Sequence, residues 1–173
     1  MTVFEKALKD VLKIEGFYSN DQDDNGGATK YGITEAVANE NGYVGNMLEM
    51  PLDMAKLIYK NEYWDKICLE DIAEIYPSIA IELFEIGVNM GTKMSEKFIQ
   101  RAVNLLKTDN LLELDGVIGQ KTIDAIRALD HRLDEETILK ALNVMQGNLY
   151  IKICDNNLTQ KKFLRGWFKR VTF

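Results

Sequence analysis

Apolar positions recur at helical spacing along most of the chain. Val3, Phe4, Ala7, Leu8, Val11, Leu12 and Ile14 predict an amphipathic helix over residues 3–15, stopped by Gly16. Thr34 is placed to cap a helix running to about Glu40. Met54, Leu57, Ile58 and Trp64 predict a helix over about 52–66, and Pro77 suits the first turn of another that reaches Met90, with Gly91 beyond it. The pattern repeats over 93–107 and 120–130. Asp134 caps a long helix to Cys154, and Phe163, Leu164, Trp167, Phe168 and Val171 give a last helix its apolar face. Residues 16–33, GFYSNDQDDNGGATKYGI, break the rule: Asp, Asn, Gly and Ser crowd together, with room for a short β-ribbon. No run alternates like a substantial sheet. The expected fold is all-α, with at most that ribbon.

With 173 residues and 46% hydrophobic content, the chain suits one compact unit. A compositional break near residues 91–95 divides it into two lobes, 1–92 and 93–173, packed together. The net charge of −6 disfavours a nucleic-acid partner. That charge is unevenly spread. The last fifteen residues carry Lys161, Lys162, Arg165, Lys169 and Arg170 and no acid. Such a segment reads either as a membrane-seeking amphipathic helix or as a closing helix that completes the core, and we favour the second. Cys68 and Cys154 lie in no metal-binding spacing and read as buried free thiols. His131, the single histidine, reads as an exposed charge at a helix end. The N-terminus has no apolar signal-peptide core, and no apolar run approaches the ~18 residues of a membrane span. Neither a metal nor a cofactor is expected, nor stable membrane insertion.

Candidate chemistry concentrates in residues 15–34. Glu15 closes the first helix. The partial negative charge of a helix C-terminus, with burial against Ile14 and Phe17, would raise its pKa as a general acid requires. Read from its position alone, it is more readily an ordinary surface glutamate. Asp21, Asp23 and Asp24 follow within nine residues, then Asn25-Gly26-Gly27 and Thr29. Glycoside cleavage needs an acid on one side of the bond and a carboxylate or positioned water on the other, and a helix-end acid followed by a glycine-turned ribbon can place both. A rival reading takes Asp21-x-Asp23-x-Asn25-Gly26 as half of an EF-hand loop. It fails at the twelfth position, where the bidentate Glu is replaced by Gly32.

The run Glu15-Gly16-Phe17-Tyr18-Ser19-Asn20-Asp21 through Asp24, Gly26-Gly27, Thr29 and Gly32-Ile33-Thr34 resembles the signature E-G-G-Y-x-N-D-x-x-D-x-G-G-x-T-x-x-G-I-T of glycoside hydrolase family 108. Phe17 departs from it, standing where the family has its second glycine. Tyr63-Trp64 after Ala55-Lys56-x-Ile58-Tyr59 is similar to a further family segment, as is Phe84-Glu85-x-Gly87-Val88-Asn89-x-Gly91. Gln100-Arg101-Ala102-Val103 with Asp115-Gly116-x-x-Gly119-x-x-Thr122 resembles the family's peptidoglycan-binding lobe, and residues 163–171 its closing helix. From the residues alone, 115–119 show only a tight turn, with Val117 and Ile118 packed inward.

The resemblance implies a lysozyme-like fold and an N-acetylmuramidase, a class that includes phage endolysins and proteins labelled secretion activators. It implies Glu15 as the catalytic acid, with Asp24 as the second polar group and Thr29 as holder of a water. Asp21 and Asp23 are alternatives to Asp24. Substrate contacts are expected from Asp21, Tyr31, Tyr63, Trp64 and Asn89. For Asp21 a loop-bracing role stands beside this, for Tyr63 and Trp64 a place in the core, and for Asn89 the capping of a carbonyl. The implied partner is the glycan strand of peptidoglycan, met by a monomer at the cell wall or in the periplasm after export or holin-type release. The alternative is a wall-binding or secretion-assisting module with an impaired site.

Overall fold

A computed structural model describes residues 1–15, 18–19 and 28–172, with the backbone alone for Ile14, Glu15, Tyr18 and Ser19. The protein is mainly helical. The first helix, α1 (Val3–Glu15), opens with a reciprocal cap: the Thr2 hydroxyl accepts from the Glu5 amide at 3.1 Å, and the Glu5 carboxylate accepts from the Thr2 amide at 2.7 Å. Three two-residue strands follow, β1 (Tyr18–Ser19), β2 (Thr29–Lys30) and β3 (Ile33–Thr34), paired antiparallel in that order. The Thr34 hydroxyl then caps α2 (Glu35–Glu40) by accepting from the Val37 amide, as its sequence position predicts.

The helix expected over 52–66 is α-helical only as α3 (Leu52–Tyr59). It then widens into a π-helical stretch, Lys60–Asp65, whose end residues form an ion pair. Cys68, with φ of 54°, reverses the chain into α4 (Leu69–Ile75), a helix the apolar spacing did not reveal. Pro77 starts α5 (Pro77–Met90). Gly91 both closes α5 and opens α6 (Thr92–Leu105), at φ 88° and ψ 145°, a conformation open almost only to glycine. After a long turn come α7 (Gln120–Arg127) and α8 (Asp134–Asn156).

Buried residues from Ala7 to Leu142 form one continuous core. Its densest part is aromatic. Phe4 of α1, Trp64 of the π-helical stretch and Phe84 of α5 meet edge to face, with centroids 5.4–5.9 Å apart, and Tyr59 joins at 6.0 Å from Phe84. Such pairs add about 0.5–1.5 kcal/mol each beyond the area they bury. They clamp α1 onto α5 and so fix where α1 ends.

The basic tail is not one helix. It runs as a 3-10 stretch, Leu158–Phe163, into the four-residue α9 (Leu164–Trp167). None of its described residues is fully buried, yet it is docked. Trp167 stacks on Tyr150 at 5.2 Å, Phe168 approaches the same ring at 6.2 Å, and Arg170 pairs with Glu85 at 2.9 Å. Phe163 and Phe168 stay about half exposed, so the tail covers the body without completing its core. His131 is exposed as expected, with its ring stacked 4.0 Å from Tyr76. Cys154 is buried and Cys68 only partly so; both are free thiols.

Truncation after Asn157 removes Arg170 and leaves Glu85 without its cation, a loss worth about 3–5 kcal/mol for a buried pair. A drop of about 10 °C or more in Tm is expected by differential scanning calorimetry. The isolated tail peptide should bind anionic vesicles only feebly. A truncated chain that melts normally, with strong vesicle binding by the peptide, would favour the membrane reading.

Candidate active site

Glu15 is the last residue of α1, three positions ahead of β1. The apolar stripe of α1, with Ala7, Leu8 and Val11 buried, holds the helix against the core, so its C-terminal end is carried by a rigid element. Asp21, Asp23 and Asp24 lie outside the described residues, as do Phe17 and the rest of the EF-hand-like stretch up to Gly27.

The described part of the ribbon is firmly seated. Tyr18 pairs with Lys30 and Ser19 with Thr29; Thr29 in turn faces Thr34. The β2–β3 turn is Tyr31-Gly32, with φ of 55° and 78°. Positive φ at both central residues matches the right-handed twist of a tight hairpin, although a tyrosine is costly in the first position. Three contacts offset that cost. The Tyr59 hydroxyl donates to the Tyr31 carbonyl at 2.8 Å, the Lys30 ammonium lies 5.1 Å from the Tyr31 ring, and the Lys30 ammonium also donates to the Leu48 carbonyl. Ile33 sinks into the core beneath.

Of the expected site residues, Thr29, the expected holder of a water, and Tyr31, an expected substrate contact, share this ribbon, and Tyr63 comes near it, partly buried and tilted against Tyr59 at 5.6 Å. Trp64 does not join them. It is 0% exposed, faces Phe4 and Phe84, and donates its indole N–H to Glu70 at 2.7 Å, which leaves no ring face for a sugar. Asn89 is also elsewhere, on the far part of α5, where its side-chain oxygen accepts from the Tyr150 hydroxyl at 2.7 Å.

That last contact belongs to a set the sequence reading missed. Asn143 of α8 donates to Glu82 of α5 at 2.9 Å, and Gln146 donates to Glu85 at 2.8 Å. Glu85 also receives Arg170 from the tail, with side chains only 16% and 9% exposed. Residues 82, 85 and 89 thus meet 143, 146 and 150, both series stepping by three and four along one helix face. The only available signal was polar residues at stripe spacing in α5 and α8. Burial, then the neighbouring Glu85 charge, push the Glu82 carboxyl up to about 7 against the opposing hydrogen bond from Asn143.

Two family models match the chain. Residues 8–91 match Glycosyl hydrolase 108, and residues 95–172 match a Predicted Peptidoglycan domain. Over nearly half of its length, the chain is thus similar to glycosyl hydrolase family 108. Among solved structures it is similar to Brucella abortus SagA, at 27% identity and a TM-score of 0.75, covering 97% of this chain and 88% of that one. No curated protein matches it. The two family matches together tie the chain to peptidoglycan. None of the described helices is long and apolar enough to cross a membrane.

Because the Glu82 carboxyl is raised on folding, its contribution to stability is fully present below about pH 4.5 and is lost as pH rises through about 7. Glu82→Gln keeps an acceptor for Asn143 and removes the charge. It should therefore stabilise the protein at pH 8 by on the order of 3 kcal/mol and change little at pH 4. Thermal melts of both proteins at the two pH values check this; equal shifts at both would contradict it.

Proposed function

We propose that the protein is a peptidoglycan hydrolase of the N-acetylmuramidase type, with residues 1–92 as its catalytic lobe and 93–173 as a wall-binding lobe packed against it. One observation carries the reading: a glutamate ends a core-anchored helix three residues ahead of a ribbon, in a segment matched to a glycosyl hydrolase family. Glu15 gives its proton to the oxygen bridging N-acetylmuramic acid and N-acetylglucosamine as that oxygen leaves the anomeric carbon. Water adds to the anomeric carbon and yields its proton to a carboxylate among residues 21–24. Asp24 is assigned that role, with Asp21 as the substitute and Thr29 as holder of the water. Tyr31 and Tyr63 flank the sugar. The reaction calls for no cofactor, and the protein acts as a monomer at the wall after export or release.

A second reading rests on Phe17, whose side chain replaces a glycine of the family signature two residues after Glu15. It makes the protein a wall-binding or secretion-assisting module with an impaired site.

Mass spectrometry of muropeptides released from purified peptidoglycan decides between them, since new reducing ends on muramic acid appear only under the first. Glu15→Gln should cut turbidity clearing by about 10²-fold or more with an unchanged melt. Near-normal turnover in that variant would remove Glu15 from the role. Asp24→Asn should fall between Glu15→Gln and Asp23→Asn in the same assay. Equal rates for Asp24→Asn and Asp23→Asn would move the second group to Asp21.

A further inference from the structure

The turn between α6 and α7 lacks regular structure, yet one face of α6 reads its backbone. Glu96 accepts from the Ile118 amide at 3.3 Å. Gln100 accepts from the Gly116 amide at 2.9 Å and donates to the Val117 carbonyl at 3.1 Å and to Asp115 at 2.7 Å. Asn104 accepts from the Leu112 amide and donates to the Leu112 carbonyl, both at 2.8 Å. Residues 96, 100 and 104 step by four, so three successive side chains of one helix hold the loop open as a fixed wall. Val117, expected to pack inward, is turned out by this arrangement and is 54% exposed, while Ile118 is buried as expected.

Between that wall and α7 lies a groove of about 830 Å³, whose lining falls entirely within the residues matched to the peptidoglycan domain. Its apolar parts include Leu111, which is 60% exposed, and Val117. Charges of both signs border it. Among the described residues Lys107, Lys121 and Glu113 have no ion-pair partner, and the bonds from Gln100 and the Val117 amide hold Asp115 as a carboxylate. None of the lining residues is aromatic, so no ring is offered to the apolar face of a sugar.

We propose that this groove binds the peptide part of peptidoglycan, a short stem peptide bearing both a free amine and carboxylates, and not the glycan. The amine is met by Glu113 and Asp115, the carboxylates by Lys107 and Lys121, and the small alkyl side chains by Leu111 and Val117. This rests on the peptidoglycan reading above and adds the chemical part recognised and the residues that recognise it.

The test is an amide-resolved NMR titration of the full chain with two probes. One is the free tetrapeptide L-Ala-γ-D-Glu-meso-diaminopimelate-D-Ala; the other is the peptide-free disaccharide of N-acetylglucosamine and N-acetylmuramic acid. The tetrapeptide should shift amides of residues 111–117 and 120–128, and the disaccharide should leave them in place. Glu113→Lys and Lys121→Glu, both at exposed positions, should each weaken tetrapeptide binding about fivefold while the spectrum stays that of a folded chain. Shifts there from the disaccharide, tetrapeptide shifts elsewhere, no tetrapeptide binding, or charge reversals without effect would each overturn the proposal. Wall clearing by the same samples separates the two readings. A chain that clears walls but ignores the tetrapeptide loses only the groove assignment. A chain that binds the tetrapeptide at the groove and cuts nothing keeps it and loses the hydrolase.

Discussion

The seam between α5 and α8 sets the register in which the two family-matched segments pack, beside the α5–α6 contact that Ser95 braces by donating to the Leu83 carbonyl. The seam is polar and largely buried: Glu82, Glu85 and Asn89 meet Asn143, Gln146 and Tyr150, and Arg170 closes it from the tail. An apolar seam of the same area would tolerate sliding of one helix along the other. This one does not, because Asn143, Gln146 and Tyr150 find their acceptors at one register, with only Gln146 Oε1 left unpaired among the described buried side-chain atoms, and a slip would unpair the rest. A buried Arg–carboxylate pair is weak evidence for stability, and Glu82 is held at a cost. What the seam gains is a single docking geometry for α8 and the tail on the body.

The ribbon uses a different means to the same end. It has too few residues to be stable as a sheet, so its position comes from outside itself. Tyr59, buried in the aromatic cluster, reaches through its hydroxyl to the Tyr31 carbonyl, and Phe4 of the same cluster anchors α1. The helix that ends in Glu15 and the turn that carries Tyr31 are therefore referenced to one set of rings. Trp64 belongs to that set, and its buried ring presents no face to solvent.

Most helices were legible because their signals are local. Pro77, Gly91 and Thr34 act within one turn, and the apolar stripe of α1 is clean. Where a feature depends on distant residues the pattern gave out. α4 was hidden because Cys68 adopts a left-handed conformation that no composition rule suggests. The widening at Lys60–Asp65 keeps helical spacing and so looks like plain helix. The pairing of Glu82 and Glu85 with Asn143 and Gln146 was not legible, since spacing alone cannot tell a wet polar stripe from one paired with another helix. Val117 went the other way: an apolar residue in a turn suggests burial, and Gln100 turns it out. The candidate site was legible as a motif, while the places of Trp64 and Asn89 required the packing to be seen.

Gly91 ends one helix and begins the next with no residue between. The segments matched by the two family models meet at that joint, so they are not beads on a string. Cutting the chain there would leave Glu82, Glu85 and Asn89 on one fragment and their partners on the other, with water taking the place of each interhelical hydrogen bond.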